Sequence, residues 1–145
     1  MVRKIALHDR KILFPHDVII ARSAEAAKFS AKSIGDIAKD DMILDIGSDA
    51  RRMFIRELKR AKTIFWNGPL GLVEKKEYAL GTLAIAKALR GIHAYKVVGG
   101  GDLVAFFEKH RLGKSVSHFA TGGGSSLMFI AGFSLPGMRA LEKSK

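Results

Sequence analysis

The sequence predicts an α/β fold, doubly wound around a mostly parallel sheet, and three observations carry that expectation. Five short apolar runs recur along the chain, at residues 17–21, 42–46, 63–66, 95–98 and 116–120. Most are continuous rather than alternating and rich in Val, Ile and Phe, as strands buried on both faces are. The stretches between them are long enough for the crossovers that parallel pairing requires. Those stretches also carry helical periodicity, and strands alternating with helices define this class.

The helices follow from the spacing of apolar residues. Over residues 49–62, Phe54, Leu58 and Ala61 fall at i, i+4 and i+7, while Arg52, Arg56, Lys59 and Arg60 take another face. Over residues 75–89, Tyr78, Ala79, Leu83, Ala86 and Leu89 give a second apolar stripe. Shorter helices are predicted over 103–110 and 125–130. The run Leu135-Pro136-Gly137 breaks the chain before a last turn or helix over 138–143. Nothing repeats, and no low-complexity tract or linker interrupts the pattern.

At 145 residues the chain suits one domain with a sizeable core. The absence of cysteine excludes disulfides, thiolate catalysis and sulfur-ligated metals. No apolar run approaches the roughly 20 residues that span a bilayer. Met1 to Ile5 is followed at once by His8, Asp9, Arg10 and Lys11, where a secretory leader would need a longer apolar stretch, so none is expected. A soluble, cytoplasmic protein without membrane association is expected. The formal net charge of +11 attracts anions such as nucleotides, sugar phosphates or nucleic acid, and solubility with loose polyanion attraction explains it equally well.

Three strand ends carry glycines: Asn67-Gly68-Pro69-Leu70-Gly71, Gly99-Gly100-Gly101-Asp102 and Thr121-Gly122-Gly123-Gly124. In a parallel sheet all three lie on the carboxyl edge, where α/β folds bind ligands. Glycine lets the backbone approach a ligand, and a following helix N-terminus offers free N–H groups to a phosphate. Tight strand-to-helix turns alone would also explain any one loop. Neither the Walker pattern nor the spaced dinucleotide pattern is present. Asp102, at the start of a predicted helix, suits an N-cap first and, as the second choice from local chemistry alone, a magnesium ion that bridges phosphates.

The wording of these loops is more specific than their composition. The run Ile64-Phe65-Trp66-Asn67-Gly68-Pro69-Leu70-Gly71 resembles the signature of the phosphoglycerate kinase family, with Glu74 at the spacing of a family glutamate. Val97-Val98-Gly99-Gly100-Gly101-Asp102 is similar to the family's second loop, and residues 117–127 to its third. Phe14-Pro15-His16-Asp17, Leu44-Asp45-Ile46-Gly47 and Leu135-Pro136-Gly137 resemble weaker motifs in the same order.

The resemblance implies a Rossmann-like, three-layer domain. By that resemblance it would be the C-terminal, nucleotide-binding portion of a two-domain kinase that moves a phosphoryl group between 1,3-bisphosphoglycerate and ADP with magnesium. It further implies that Glu74 binds the ribose hydroxyls and that Asn67 and Pro69 line the nucleotide site. Gly99, Gly100 and Gly101 would follow the phosphates, and Asp102 would hold the metal, which now outweighs capping. Gly100, Gly122, Gly123 and Gly124 would face the transferring phosphoryl group.

Against the family pattern, residues 1–145 read as a partial nucleotide-binding domain. On that reading the N-terminal phosphoglycerate-binding domain is expected to be absent, as are the first strands of the nucleotide domain with their lysines. The absent portion is expected either to be supplied as a separate chain or to leave the sheet with an open edge. Lys75, Lys76, Arg90 and Lys96 provide positive charge of unassigned placement. Leu103 stands where the family has Ser or Thr, so only its backbone N–H can serve the nucleotide. Ser48-Asp49-Ala50 replaces a proline-containing stretch. Turnover by this portion alone is not expected. The contrasting expectation is a basic module that binds nucleotides or polyanions without chemistry.

Other constellations carry less. His8, His16, His93, His110 and His118 show no helix-face metal spacing. Ser125 and Ser126 lack a nucleophile-elbow pattern. The basic stripe from Arg52 to Arg60 reads as a solvated helix face, because no nucleic-acid motif accompanies it and no specific nucleic-acid partner is expected.

Overall fold

The computed structural model describes residues 11–144; the N-terminal stretch considered for a leader, with His8, lies outside that range. The element order is β1 (Asp17–Ala21), β2 (Phe29–Ser33), β3 (Met42–Ile46), α1 (Ser48–Leu58) and β4 (Thr63–Asn67). There follow α2 (Leu80–Ala88), β5 (Tyr95–Gly99), α3 (Gly101–Lys109), β6 (His118–Ala120), α4 (Gly124–Ile130) and α5 (Pro136–Lys143). No helix of the described residues is long and apolar enough to cross a membrane.

The strands form two sheets. β4, β5 and β6 are parallel and adjacent in that order, with Trp66 opposite Val98 and Val98 opposite Phe119. This is the parallel sheet the sequence predicts, flanked by the predicted helices. The first two predicted strands belong elsewhere: β1 pairs antiparallel with β3 and with β2, in the order β2-β1-β3. The expected helical crossover between them is instead occupied by β2. Its sequence, Phe-Ser-Ala-Lys-Ser, is largely exposed and has no β-branched residue, so it carries no strand signal of its own. Pairing with β1 supplies the order that propensity does not.

The main core lies on one face of the parallel sheet. Ile64 and Val98 pack with Ala86 and Leu89 around α2 and with Leu103 and Phe107 of α3, joined by Trp66 and Phe119. Phe107 meets the rings of Trp66 and Phe119 edge-on, at 5.6 and 6.1 Å. The opposite face carries Phe65 and Val97, half-buried, and Tyr95, 57% exposed. Parallel crossovers are nearly always right-handed, so strands added in one direction place their helices on one side. A second layer of helices requires strands beyond β4, which is an edge strand of this sheet.

α1 is amphipathic as predicted. Leu58 and Ala61 reach the core, while the side chains of Arg52, Arg56 and Arg60 are 73 to 78% exposed. The helix is capped from outside by Asp17, whose carboxylate accepts the N–H groups of Asp49 (3.1 Å) and Ala50 (2.7 Å). The two weak motifs read from sequence therefore meet in space, Asp17 from one and Gly47 from the other. Ser48, where the family pattern has its proline-containing stretch, opens the helix at a position that tolerates proline.

Candidate nucleotide site

All three glycine loops leave the same edge of the parallel sheet, because β4, β5 and β6 run in one direction and each loop follows its strand. Each contains one glycine at positive φ: Gly68 at 82°, Gly100 at 90° and Gly123 at 49°. At Gly100 the need is also steric. A Cβ there would come within 3.3 Å of the Gly68 nitrogen, so the first two loops are in contact. The Gly68 N–H donates to the Gly99 carbonyl at 3.2 Å, tying them together.

Asn67, at the end of β4, faces this junction. Its Oδ1 is buried and, among the described residues, accepts no hydrogen bond. A Cβ on Gly99 would lie 3.0 Å from that oxygen. A buried acceptor left unpaired costs free energy, and such groups usually have a partner in the functional state. Beside it the N–H groups of Gly100, Gly122 and Gly123 donate to no backbone carbonyl among the described residues, so they are free to donate to an anion. Ser125 and Ser126 donate back to Gly122 and Gly123 and close the third loop into its turn.

Glu74 and Asp102, 28 residues apart in sequence, line one cleft of about 210 Å³ together with Val73, Ala105, Phe106 and Lys109. Asp102 is the second residue of α3 and exposed; the helix has no side-chain cap, so capping is not its role. Its carboxylate has no hydrogen-bond or ion-pair partner among the described residues, which suits a cation held jointly with phosphates. Lys109 was not singled out in the sequence. The signal was there: Asp102, Ala105, Phe106 and Lys109 are spaced i, i+3, i+4 and i+7 on one helix face.

Other predicted contributors fall outside the cleft. The Leu103 side chain is fully buried in the core, so only its backbone is available, as expected. Lys75 is held by the Ala24 carbonyl at 2.6 Å and by Glu25. Lys96 donates to the carbonyls of Leu89 (3.2 Å) and Ile92 (2.8 Å), near the start of its strand and away from the loops. Arg90 donates to the Arg111 carbonyl. Pro69 lines a separate shallow cleft with Leu44, Asp45, Gly71 and Leu72.

A parallel sheet with three glycine loops on its carboxyl edge and two carboxylates lining one cleft defines an α/β domain of the doubly wound kind, whose ligand sites lie at that edge. The particular family is shown by comparison. The family model described as phosphoglycerate kinase matches residues 1–133, and the chain belongs to that family. Its structure is similar to that of phosphoglycerate kinase from Coxiella burnetii, with 35% identity and a TM-score of 0.80 over 91% of this chain. Phosphoglycerate kinase from Pyrococcus horikoshii OT3 is similar at 31% identity and a TM-score of 0.74 over 88% of this chain. The chain spans 34% and 32% of the length of those two proteins.

Proposed function

We propose that this chain provides the nucleotide side of a phosphoglycerate kinase, binding ADP or ATP with magnesium for phosphoryl exchange with 1,3-bisphosphoglycerate. The observation that carries the reading is the convergence of Glu74 and Asp102 on one cleft at the edge where the glycine loops emerge. Glu74, an acceptor-only carboxylate, takes the hydrogen bonds of the ribose hydroxyls. Asn67 and Pro69 would line the nucleotide where it extends beyond the Glu74–Asp102 cleft, Asn67 offering its unpaired oxygen to a ligand donor and Pro69 lying in the separate shallow cleft. Gly99, Gly100 and Gly101 let the phosphates approach the backbone. Asp102 holds the magnesium ion, which when bound neutralises phosphate charge. The N–H groups of Gly122, Gly123 and Gly124 face the phosphoryl group in transfer. Phosphoryl transfer asks for positioning and charge stabilisation, which backbone N–H groups and a carboxylate-held metal supply.

Turnover in this reading needs the remainder of a kinase, whether as further sequence of the same chain or as a separate one. The edge of β4, the face carrying Phe65, Val97 and Tyr95, and the exposed apolar residues Leu127, Met128, Phe129 and Ile130 of α4 are the surfaces it would cover. A helix apolar on all sides reads as one that is buried in its working state. The partial nucleotide-binding domain would then be cytoplasmic and glycolytic, in keeping with its family.

The test is a titration of the purified chain with MgADP at two salt concentrations. Saturable binding that weakens only modestly with salt supports the reading. Binding that is indifferent to magnesium and falls steeply with salt marks a basic polyanion-binding module instead.

A further inference from the structure

The loop that carries Pro69 and Glu74 joins β4 to α2 and is clamped from beneath. The Leu70 N–H donates to Oγ1 of Thr82 at 3.0 Å, and the Leu72 N–H donates to the Leu44 carbonyl at 2.9 Å. Thr82 is fully buried in the first turn of α2. Directly beside it, Gly81 donates its N–H to Oδ2 of Asp45 at 2.7 Å, while Oδ1 accepts from Ile46 at 2.8 Å. Asp45 is only 1% exposed. Its carboxylate is wedged between two glycines: a Cβ on Gly71 of the loop would lie 2.6 Å from Oδ1, and one on Gly81 would meet the same oxygen. No larger residue fits at either place without moving the carboxylate.

We propose that Asp45 and Thr82 are positioning residues for the nucleotide: through the first turn of α2 they fix the Pro69–Glu74 loop and thereby set Glu74 against Asp102 across the cleft. Neither side chain lines the Glu74–Asp102 cleft itself. Asp45 ties β3 of the antiparallel sheet to the start of α2, and Thr82 passes that constraint to the loop at Leu70. The loop is therefore registered to both sheets, and loosening either bond frees Glu74 rather than removing it. The effect on nucleotide affinity rests on the function proposed above; the clamp itself does not.

The experiment compares wild type, Thr82→Val, which is nearly isosteric but accepts no hydrogen bond, and Thr82→Ser, which restores the acceptor. Three readouts are taken on each: amide exchange at Leu70, emission of Trp66, the one tryptophan of the chain, and affinity for MgADP. Trp66 and Leu70 line one apolar cavity, so emission reports the seating of the loop. In Thr82→Val, Leu70 exchange should rise and MgADP affinity fall by roughly tenfold each, the scale of one lost hydrogen bond, with Trp66 emission shifted. Thr82→Ser should return all three toward wild type. Unchanged exchange and emission in a folded Thr82→Val overturns the clamp. Should wild type bind no MgADP while Leu70 exchange still rises in Thr82→Val, the clamp stands and the proposed function falls. Should Thr82→Val fail to fold, wild-type exchange decides. Leu70 and Leu72 amides as protected as those of β4 uphold the clamp, and exchange at the rate of a free loop overturns it.

Discussion

The two three-stranded sheets are equal in size and opposite in character. The parallel sheet presents three glycine loops from one edge and carries its main core on one face. The antiparallel sheet contributes none of those glycine loops. It contributes two carboxylates instead, Asp17 at the start of α1 and Asp45 at the start of α2, each accepting backbone N–H groups from a helix it does not belong to. One sheet presents the glycine loops of the candidate site, and the other sets the helices in position. Binding should therefore be lost without loss of stability on the first sheet's loops, and stability should be tuned without direct contact from the second.

The largest effect is expected in the parallel sheet's core. Phe107 is fully buried between Trp66 and Phe119, and Phe107→Ala should cost about 3–5 kcal/mol of stability, read as a fall in the urea midpoint. Asp17→Ala should cost about 0.5–2 kcal/mol through the lost cap of α1, and should leave MgADP affinity near that of wild type. Were affinity to collapse with Asp17, the division between the sheets would fail.

The smallest effects are in pH. Burial pushes the Asp45 carboxyl above its usual range, against the N–H bonds from Gly81 and Ile46. Its contribution is full below the ordinary carboxylate pKa and is lost as pH rises through the elevated folded value. Asp41 goes the other way: the hydrogen bond from Lys32, then the Ala38 N–H, hold it low. Its contribution is present above the ordinary value and lost as pH falls through the depressed one. In urea midpoints measured from acid to neutral pH, Asp45→Asn should flatten the upper part of the curve and Asp41→Asn the acid end. The opposite assignment would contradict these environments.

The parallel half of the fold was legible because its strands are continuous Val, Ile and Phe runs and its helices keep a clean 3.6 period. The antiparallel half was not. β1 and β3 look like buried parallel strands, and only β2 reveals the hairpin, yet Phe29–Ser33 is an exposed strand whose order comes from its neighbour. The gathering of the three glycine loops on one sheet edge was legible from local wording, since glycines at strand ends announce tight turns and close backbone approach. Lys109 was missed because its relation to Asp102 and Glu74 lies in a helix face and a loop approach rather than in a contiguous motif. Asp45 was seen only as part of a weak motif. Its contact with Gly81 spans 36 residues, beyond any local pattern.

The most direct test of the account is calorimetry of MgADP binding to wild type and to Asp102→Ala, each with and without magnesium. Asp102 is exposed and without a partner among the described residues, so its removal should leave stability unchanged within about 0.5 kcal/mol. The account predicts saturable binding in wild type, strengthened by magnesium, and an Asp102→Ala variant that has lost that strengthening while keeping its fold. Magnesium-independent binding of equal strength in both proteins, or no binding by a folded wild type, would contradict it.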